Sequence, residues 1–159
     1  MFDLDSHGPY HGDGFIVLAD GSRRWGIYGA AGVLLRHRGD EDTAYFLALR
    51  SQWTHKGGTW AIPGGALNRG EEPLDGAMRE FEEEIGRGLV PDYEIAETHV
   101  DDHGGWAYTT VVLDVPHRFD PPAELDWETA AVRWVREHEL DTLELFDAFR
   151  ATLVHLGYL

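Results

Sequence analysis

Polar and apolar residues along the chain fall into short runs that predict more strands than helices. Phe15-Ile16-Val17-Leu18, then Asp20-Gly21, then Arg24-Trp25 has the form of a hairpin with a tight turn. From Ile27 to Leu35 the apolar run IYGAAGVLL predicts a buried strand whose small residues permit close backbone approach. His37 to Asp42, with Gly39 inside it, is expected to be a polar turn before a strand over Ala44 to Leu49. A loop, SQWTHKGG, and a short strand, TWAI, then lead into Pro63-Gly64-Gly65.

Leu74, Ala77, Met78, Phe81 and Ile85 recur at helical spacing between Pro73, suited to a first helical position, and Gly86, a stop signal. Two strands are expected next, Glu94 to Val100 and Trp106 to Val115, joined across residues 101–105. His117 to Asp126 is rich in turn residues, and Ala130 to Val135 reads as a last strand. Leu143, Phe146, Phe149, Leu153 and Leu156 predict a C-terminal amphipathic helix. Strands on both sides of one helix, followed by a second, indicate an α+β domain with a mixed sheet covered by helices. Residues 1–12 lack periodicity and read as a tail or edge segment, leaving 13–159 as one domain.

Composition narrows the function classes. Thirteen basic against twenty-nine acidic residues in a chain of 159 leave a net charge of −16. Such a surface disfavours nucleic acid and anionic membrane as partners, and an anionic substrate would need a metal ion or a local basic cluster. The absence of cysteine removes disulfides, thiolate metal sites and thiol nucleophiles. The opening residues have no apolar run of the signal-peptide kind, and no stretch reaches transmembrane length, so the expected location is the cytoplasm.

The central helix also carries chemistry. At about 100° per residue, Glu80, Glu83 and Glu84 lie along one side, opposite the apolar stripe. Three acids at such spacing repel by a few tenths of a kcal/mol per pair, roughly, in water. A hard, oxygen-seeking cation such as Mg²⁺ would relieve that repulsion. Gly64-Gly65 ahead of the helix lets backbone approach a ligand closely. Gly76, which costs a mid-helix position about 1 kcal/mol relative to Ala, reads as space cleared on the carboxylate side. Arg79 is spaced to pair with Glu71 or a helix neighbour. A solvated acidic face beside an ordinary glycine turn is the plainer reading of the same residues.

The complete pattern favours chemistry. Gly65, Glu71, Arg79-Glu80-Phe81, Glu83-Glu84 and Gly86 stand at the spacing of the Nudix box, and the stretch resembles that motif of the Nudix hydrolase superfamily. Trp60 to Gly65 resembles the lead-in to the box. The hairpin with Trp25, the segment Gly29-Ala30-Ala31-Gly32 and the loop Ser51 to Gly58 look like actinobacterial MutT-type members. One position departs: Arg87 stands where an aliphatic residue is usual, and Leu89 is the candidate to supply an apolar contact in its place.

The resemblance implies a Nudix fold, a mixed sheet between helices, and cleavage of a nucleoside diphosphate linked to another group, with Mg²⁺ or Mn²⁺ as cofactor. It implies Glu80, Glu83 and Glu84 as metal ligands, Arg79 as the residue that orients a glutamate, and Gly65 as support for the phosphate loop and metal site. The family often draws a further glutamate from outside the box, and Glu128, six residues before Trp134, is the first candidate, ahead of Asp101 and Asp102. Glu80, Glu83 and Glu128 all remain open as general base. Many relatives are dimers, so a homodimer is an expectation of the same origin.

Substrate contacts are less sharply indicated. Trp53, His55 and Lys56 precede a Gly-Gly pair and could flank the nucleotide, with Lys56 on phosphate; simple loop exposure is the other reading. Trp106 and Tyr108 alternate on a strand and are candidates for the base pocket, as is Phe146 beside Asp147. Trp60 and Trp134 read as core, and no two histidines have metal-binding spacing on one helix. The favoured function is a pyrophosphohydrolase acting on nucleoside triphosphates, oxidised ones such as 8-oxo-dGTP included. An ADP-ribose or nucleotide-sugar pyrophosphatase is the rival, weakened by the lack of a proline at the place after the box where ADP-ribose hydrolases tend to carry one. A non-catalytic nucleotide sensor is the rival from another class, weakened by the retention of every box glutamate.

Overall fold

The computed structural model describes residues 8–159. Two short strands, β1 (Phe15–Val17) and β2 (Arg23–Trp25), form the expected antiparallel hairpin, with Phe15 opposite Trp25. The remaining strands build one mixed sheet: β3 (Ala30–Arg38), β4 (Thr43–Arg50), β5 (Trp60–Ala61), β6 (Gly64–Ala66), β7 (Glu94–Asp102), β8 (Ala107–Asp114) and β9 (Thr129–Arg136). Helix α1 spans Pro73–Glu84 and helix α2 Asp147–Leu156, with a 3₁₀ segment over Glu137–Thr142.

The sheet is forked. β3 and β4 pair antiparallel only where Arg36–Arg38 meets Thr43–Tyr45. Further along, β4 takes β5 on that side, while β3 takes β6. The Pro63 carbonyl, between β5 and β6, accepts from Val33 N–H at 3.0 Å. Outside the fork, β8 runs parallel to β3 and β7 antiparallel to β8, while β9 closes the other flank against β4. Gly64 and Gly65 are therefore strand residues at the fork.

Side-chain alternation sorts the core into two layers. Val33, Leu35, Phe46, Val111 and Leu113 face one way and pack with Ala77 and Phe81 of α1 and with Ile85 just past its end. Leu34, Leu47, Val112 and Val135 face the other way and pack with Phe149 and Leu153 of α2. The α+β sandwich read from the sequence is the one observed. Trp134 lies against the first layer, with its indole N–H on the Phe119 carbonyl at 3.0 Å, and Trp60 against the second, both as core residues.

Several boundaries differ from the sequence reading, among them the start of β3 at Ala30 rather than Ile27. β3 runs on through His37 and Arg38, because their backbones pair with Ala44 and Thr43, so the turn shrinks to residues 39–42. β7 likewise continues through Asp101 and Asp102, opposite Tyr108 and Ala107. α2 begins at Asp147 rather than near Leu143; Leu143 and Phe146 keep the apolar spacing but pack from the non-helical approach. Of the segment expected to be a tail or edge, residues 1–7 lie outside those described. Residues 8–12 are tied down: Arg69 Nη1 donates to Gly8 O at 2.7 Å, Arg69 N to Tyr10 O at 2.8 Å and Ile27 N to Gly12 O at 2.9 Å.

Candidate active site

Pro73 opens α1 at its first position, where a missing N–H costs nothing, and the chain leaves the helix at Ile85. Leu89 packs back into the α1-side layer and approaches Gly86, so the apolar role that Arg87 does not fill is taken two residues on. The apolar stripe is thus locked to the sheet, which turns the carboxylates toward β6 and the fork.

Arg79 organises the acids. Its Nε donates to Glu71 Oε2 at 3.0 Å and its Nη2 to Glu71 Oε1 at 2.9 Å. Nη2 also reaches Ala66 O at 3.0 Å, and Nη1 reaches Glu80 Oε1 at 2.9 Å and Glu83 Oε1 at 3.5 Å. Asn68 N–H donates to Glu71 at 3.0 Å from the other side. The hydrogen bonds from Arg79 hold the Glu71 carboxyl below its ordinary range despite partial burial. Gly76 makes this arrangement possible, since a Cβ there would sit 2.8 Å from Glu71 Oε1 and inside the contact distance of Leu67. Gly65 does the same for Glu80: a Cβ built on it would lie 2.5 Å from Glu80 Cδ.

Glu84 lies deepest. Burial, followed by the charges of Glu80, Asp126 and Glu128, pushes its carboxyl up to about 9, opposed only by the Gly64 N–H directed at it. Burial also raises Glu80, although Arg79 pulls the other way. Glu128 is raised by burial and by Asp126. A narrow cleft of about 60 Å³ has Glu84 and Glu128 in its lining, with Arg50, Ile62 and Gly64 beside them. A larger concavity of about 280 Å³, beside Val90, Pro116 and Phe119, contains none of these acids, and the chemistry points to the smaller one.

Negative charge is therefore in excess where α1 meets the fork. Among the described residues no three acidic or imidazole side chains already form a finished metal shell. The fit to a cation rests instead on donor chemistry. The acids of α1 offer carboxylate oxygens, and burial together with neighbouring negative charge raises the Glu84 carboxyl to about 9. Hard cations of the Mg²⁺ or Mn²⁺ type suit such a set.

The structure brings Glu80, Glu83, Glu84, Arg79, Gly64 and Gly65 together on α1 and β6, and Glu128 joins Glu84 in the cleft lining. Asp101 and Asp102 are engaged elsewhere, with His103 at 2.9 Å and with Gly104 N–H at 2.8 Å. Lys56 pairs with Asp147 at 2.9 Å and lies 5.8 Å above the Phe146 ring, with the Arg50 guanidinium 5.2 Å from the same ring. Trp53 is 86% exposed on the loop before the cleft residue Thr54. Trp106 donates its indole N–H to Trp25 O at 3.2 Å and carries the Arg24 guanidinium 5.4 Å from its ring.

Asp126 and Tyr108 matter more than their sequence context indicates. Asp126 acts on both Glu84 and Glu128, and its Oδ1 is shielded from solvent without a hydrogen-bond partner. The turn-rich stretch around Asp126 hides this, since only the approach of the β8–β9 loop to α1 reveals it. Tyr108, two residues from Trp106 on β8, projects its hydroxyl toward Gly32 and Gly64. Its alternation with Trp106 is the one signal the sequence offers.

The structure thus presents a mixed sheet between two helices, with an Arg-braced set of carboxylates against a glycine strand. The NUDIX domain family model matches residues 28–156, and the chain belongs to the Nudix family, hydrolases of diphosphate bonds. It is 42% identical over 150 residues to a Mycobacterium tuberculosis protein described as "Putative 8-oxo-dGTP diphosphatase 3", covering 89% of this chain and 67% of that one. It is 39% identical over 145 residues to a Bifidobacterium longum "Nucleoside triphosphate pyrophosphatase/Nudix hydrolase fusion protein", covering 87% of this chain and 30% of that one. Among solved structures it resembles RenU, a Nudix hydrolase from M. smegmatis, with a TM-score of 0.82, 35% identity, and 92% and 93% of the two chains covered. No helix among the described residues is long and apolar enough to cross a membrane.

Proposed function

We propose that this chain hydrolyses nucleoside triphosphates, oxidised purine nucleotides included, to the nucleoside monophosphate and pyrophosphate. The observation that carries the reading is the braced set Arg79–Glu71–Glu80 with Glu84 beneath the Gly64-Gly65 strand. The substrate class is supported by the descriptions of the two similar proteins from M. tuberculosis and B. longum.

Glu80, Glu83 and Glu84 would hold one or more divalent cations, Mg²⁺ or Mn²⁺, with Gly65 backbone close by. Such a cation, when bound, neutralises phosphate charge and lowers the pKa of water. Arg79 fixes the direction of Glu80 through one nitrogen while its other two grip Glu71, so the first ligand is oriented before any cation arrives. Gly65 has no side chain to displace that carboxylate. Water attacks one phosphorus, the bridging P–O bond breaks, and pyrophosphate leaves. Glu83 and Glu128, both exposed, are the carboxylates we assign to accept the proton. Arg50, also in the cleft lining, supplies positive charge toward the polyphosphate, and Trp53, Trp106 and Phe146 are our assignments for the base, with Lys56 reaching phosphate once released from Asp147.

A screen of nucleoside triphosphates, 8-oxo-dGTP, ADP-ribose and dinucleoside polyphosphates with Mg²⁺ tests this. Fastest turnover of a triphosphate, with pyrophosphate as co-product, supports it. Fastest turnover of ADP-ribose would replace the substrate class, and binding without turnover would make the chain a sensor.

A further inference from the structure

We propose that Arg24 is a specificity-determining residue: its guanidinium donates to the acceptor edge of a nucleobase lying against Trp106, and so selects guanine-type over adenine-type nucleotides. The inference rests on the nucleotide-hydrolysing reading above and adds to it a residue from the β1–β2 hairpin.

The hairpin stands outside the main sheet, yet it is fastened to the box strand. Just past β2, Gly26 lies so close to β6 that a Cβ on it would meet the Ala66 Cβ at 3.3 Å and Gly29 O at 2.5 Å. Trp25 O accepts the Trp106 indole N–H at 3.2 Å. Alternation then divides the strand residues of the hairpin. Phe15, Val17, Arg23 and Trp25 share the exposed face, with the Arg23 guanidinium 4.1 Å from the Phe15 ring centre. Ile16 and Arg24, opposite one another in register, are the half-buried pair.

Arg24 is turned to Trp106, whose ring centre lies 5.4 Å from the guanidinium carbon. Its Nε is shielded from solvent and has no hydrogen-bond partner among the described residues. Asp20, the acid of the hairpin turn, is spent on Ser22, whose N–H and hydroxyl donate to it at 2.9 and 2.6 Å. A guanidinium does not shed its proton, so a shielded donor of this kind calls for an acceptor that arrives with a ligand.

Trp106 links this donor to the box. Its ring is 6.5 Å from that of Tyr108, and the Tyr108 hydroxyl lies against Gly64, where a Cβ would be 2.8 Å from it. One aromatic ledge therefore runs from the glycine strand facing the carboxylates to Arg24. With phosphates held at the box, a base carried outward along the ledge meets Trp106 first. Stacking on an indole accepts any base, so the choice between bases falls to Arg24. Its planar fork matches an edge that presents acceptors. Guanine, oxidised or not, offers O6 where adenine carries an amino donor.

The test measures binding of dGMP and dAMP in Mg²⁺ by isothermal titration calorimetry, with circular dichroism as the check on folding. Wild type, Arg24→Ala, Arg24→Met and Trp106→Leu are compared. Wild type should bind dGMP about tenfold more tightly than dAMP. Both Arg24 variants should lose that preference through weaker dGMP binding, with dAMP affinity unchanged. Arg24→Met keeps an aliphatic stem against Trp106 and so separates lost donors from lost packing. Trp106→Leu should weaken both nucleotides about tenfold. On a guanine triphosphate that the wild type turns over, Arg24→Met should raise KM with kcat little changed. Equal affinity of wild type for the two nucleotides would overturn the proposal whatever the variants do. A preference kept in Arg24→Met, or an equal loss of both nucleotides in it, would overturn it as well. A dGMP preference that depends on Arg24 in a protein hydrolysing no nucleotide would uphold the residue while defeating the hydrolytic reading. Turnover of triphosphates with no base preference would defeat Arg24 alone.

Discussion

Arg79 grips Glu71 with two nitrogens, at 2.9 and 3.0 Å, and reserves the third for Glu80 at 2.9 Å. The first pair lies outside the expected ligand set, so its work is positional. Arg79→Ala leaves the Glu71 carboxylate, 16% exposed, without its main partner and frees Glu80. We expect a loss of about 2 kcal/mol in unfolding free energy, below that of a fully buried pair, and a fall in kcat of about a hundredfold. Urea unfolding and steady-state rates check both.

The depressed pKa of Glu71 gives this pair a pH signature. Because its folded pKa lies below the unfolded value near 4.5, the stabilisation is present above about that pH and is lost as pH falls through the folded pKa. Arg79→Ala should remove this contribution, so its stability deficit is predicted to shrink in acid. A deficit independent of pH down to the acid transition would contradict the assignment.

Glu84 behaves oppositely. Its carboxyl is raised from the ordinary 4.5 to about 9 in the metal-free fold, so the folded state holds a proton that the unfolded state releases. The metal-free protein is therefore predicted to lose stability as pH rises from about 4.5 through about 9. Glu84→Gln removes that slope and is expected to be more stable than wild type at pH 8 in EDTA. With saturating Mg²⁺ the order reverses, because only wild type gains the full stabilisation by binding. Thermal midpoints across pH, with and without metal, decide it.

Gly65→Ala brings a methyl group to within 2.5 Å of Glu80 Cδ, so the carboxylate must turn away. Activity should fall by about tenfold to a hundredfold, while stability changes by roughly 1 kcal/mol or less. Rates and urea midpoints measured together separate displacement of a ligand from damage to the fold.

Much of this organisation is legible in the chain, because it is written in local spacing. The box residues that brace and carry charge sit within one helix and the loop before it, so period and register locate them. The β1–β2 hairpin follows from its Asp20-Gly21 turn and the buried central strand from its apolar run, for the same reason. Features that local spacing does not reveal depend on tertiary approach. His37 and Arg38 are polar, yet they belong to β3 because Ala44 and Thr43 supply ladder partners. Leu143 continues the spacing of α2 from outside the helix, packing into the same layer from an extended segment. Asp126 looks like any acid in a turn until its loop lies near Glu84. The Tyr108 hydroxyl lies against Gly32 and Gly64, glycines more than thirty positions apart, which no window of sequence compares.

Metal-dependent hydrolysis at the box carboxylates is the central claim, and one measurement reaches it directly. Release of pyrophosphate from a nucleoside triphosphate should be followed at saturating Mg²⁺ for wild type, Glu83→Gln and Glu84→Gln. The predicted result is turnover in wild type, none with EDTA, and a reduction of about a thousandfold in each variant with the fold intact. Equal turnover in wild type and both variants would contradict it.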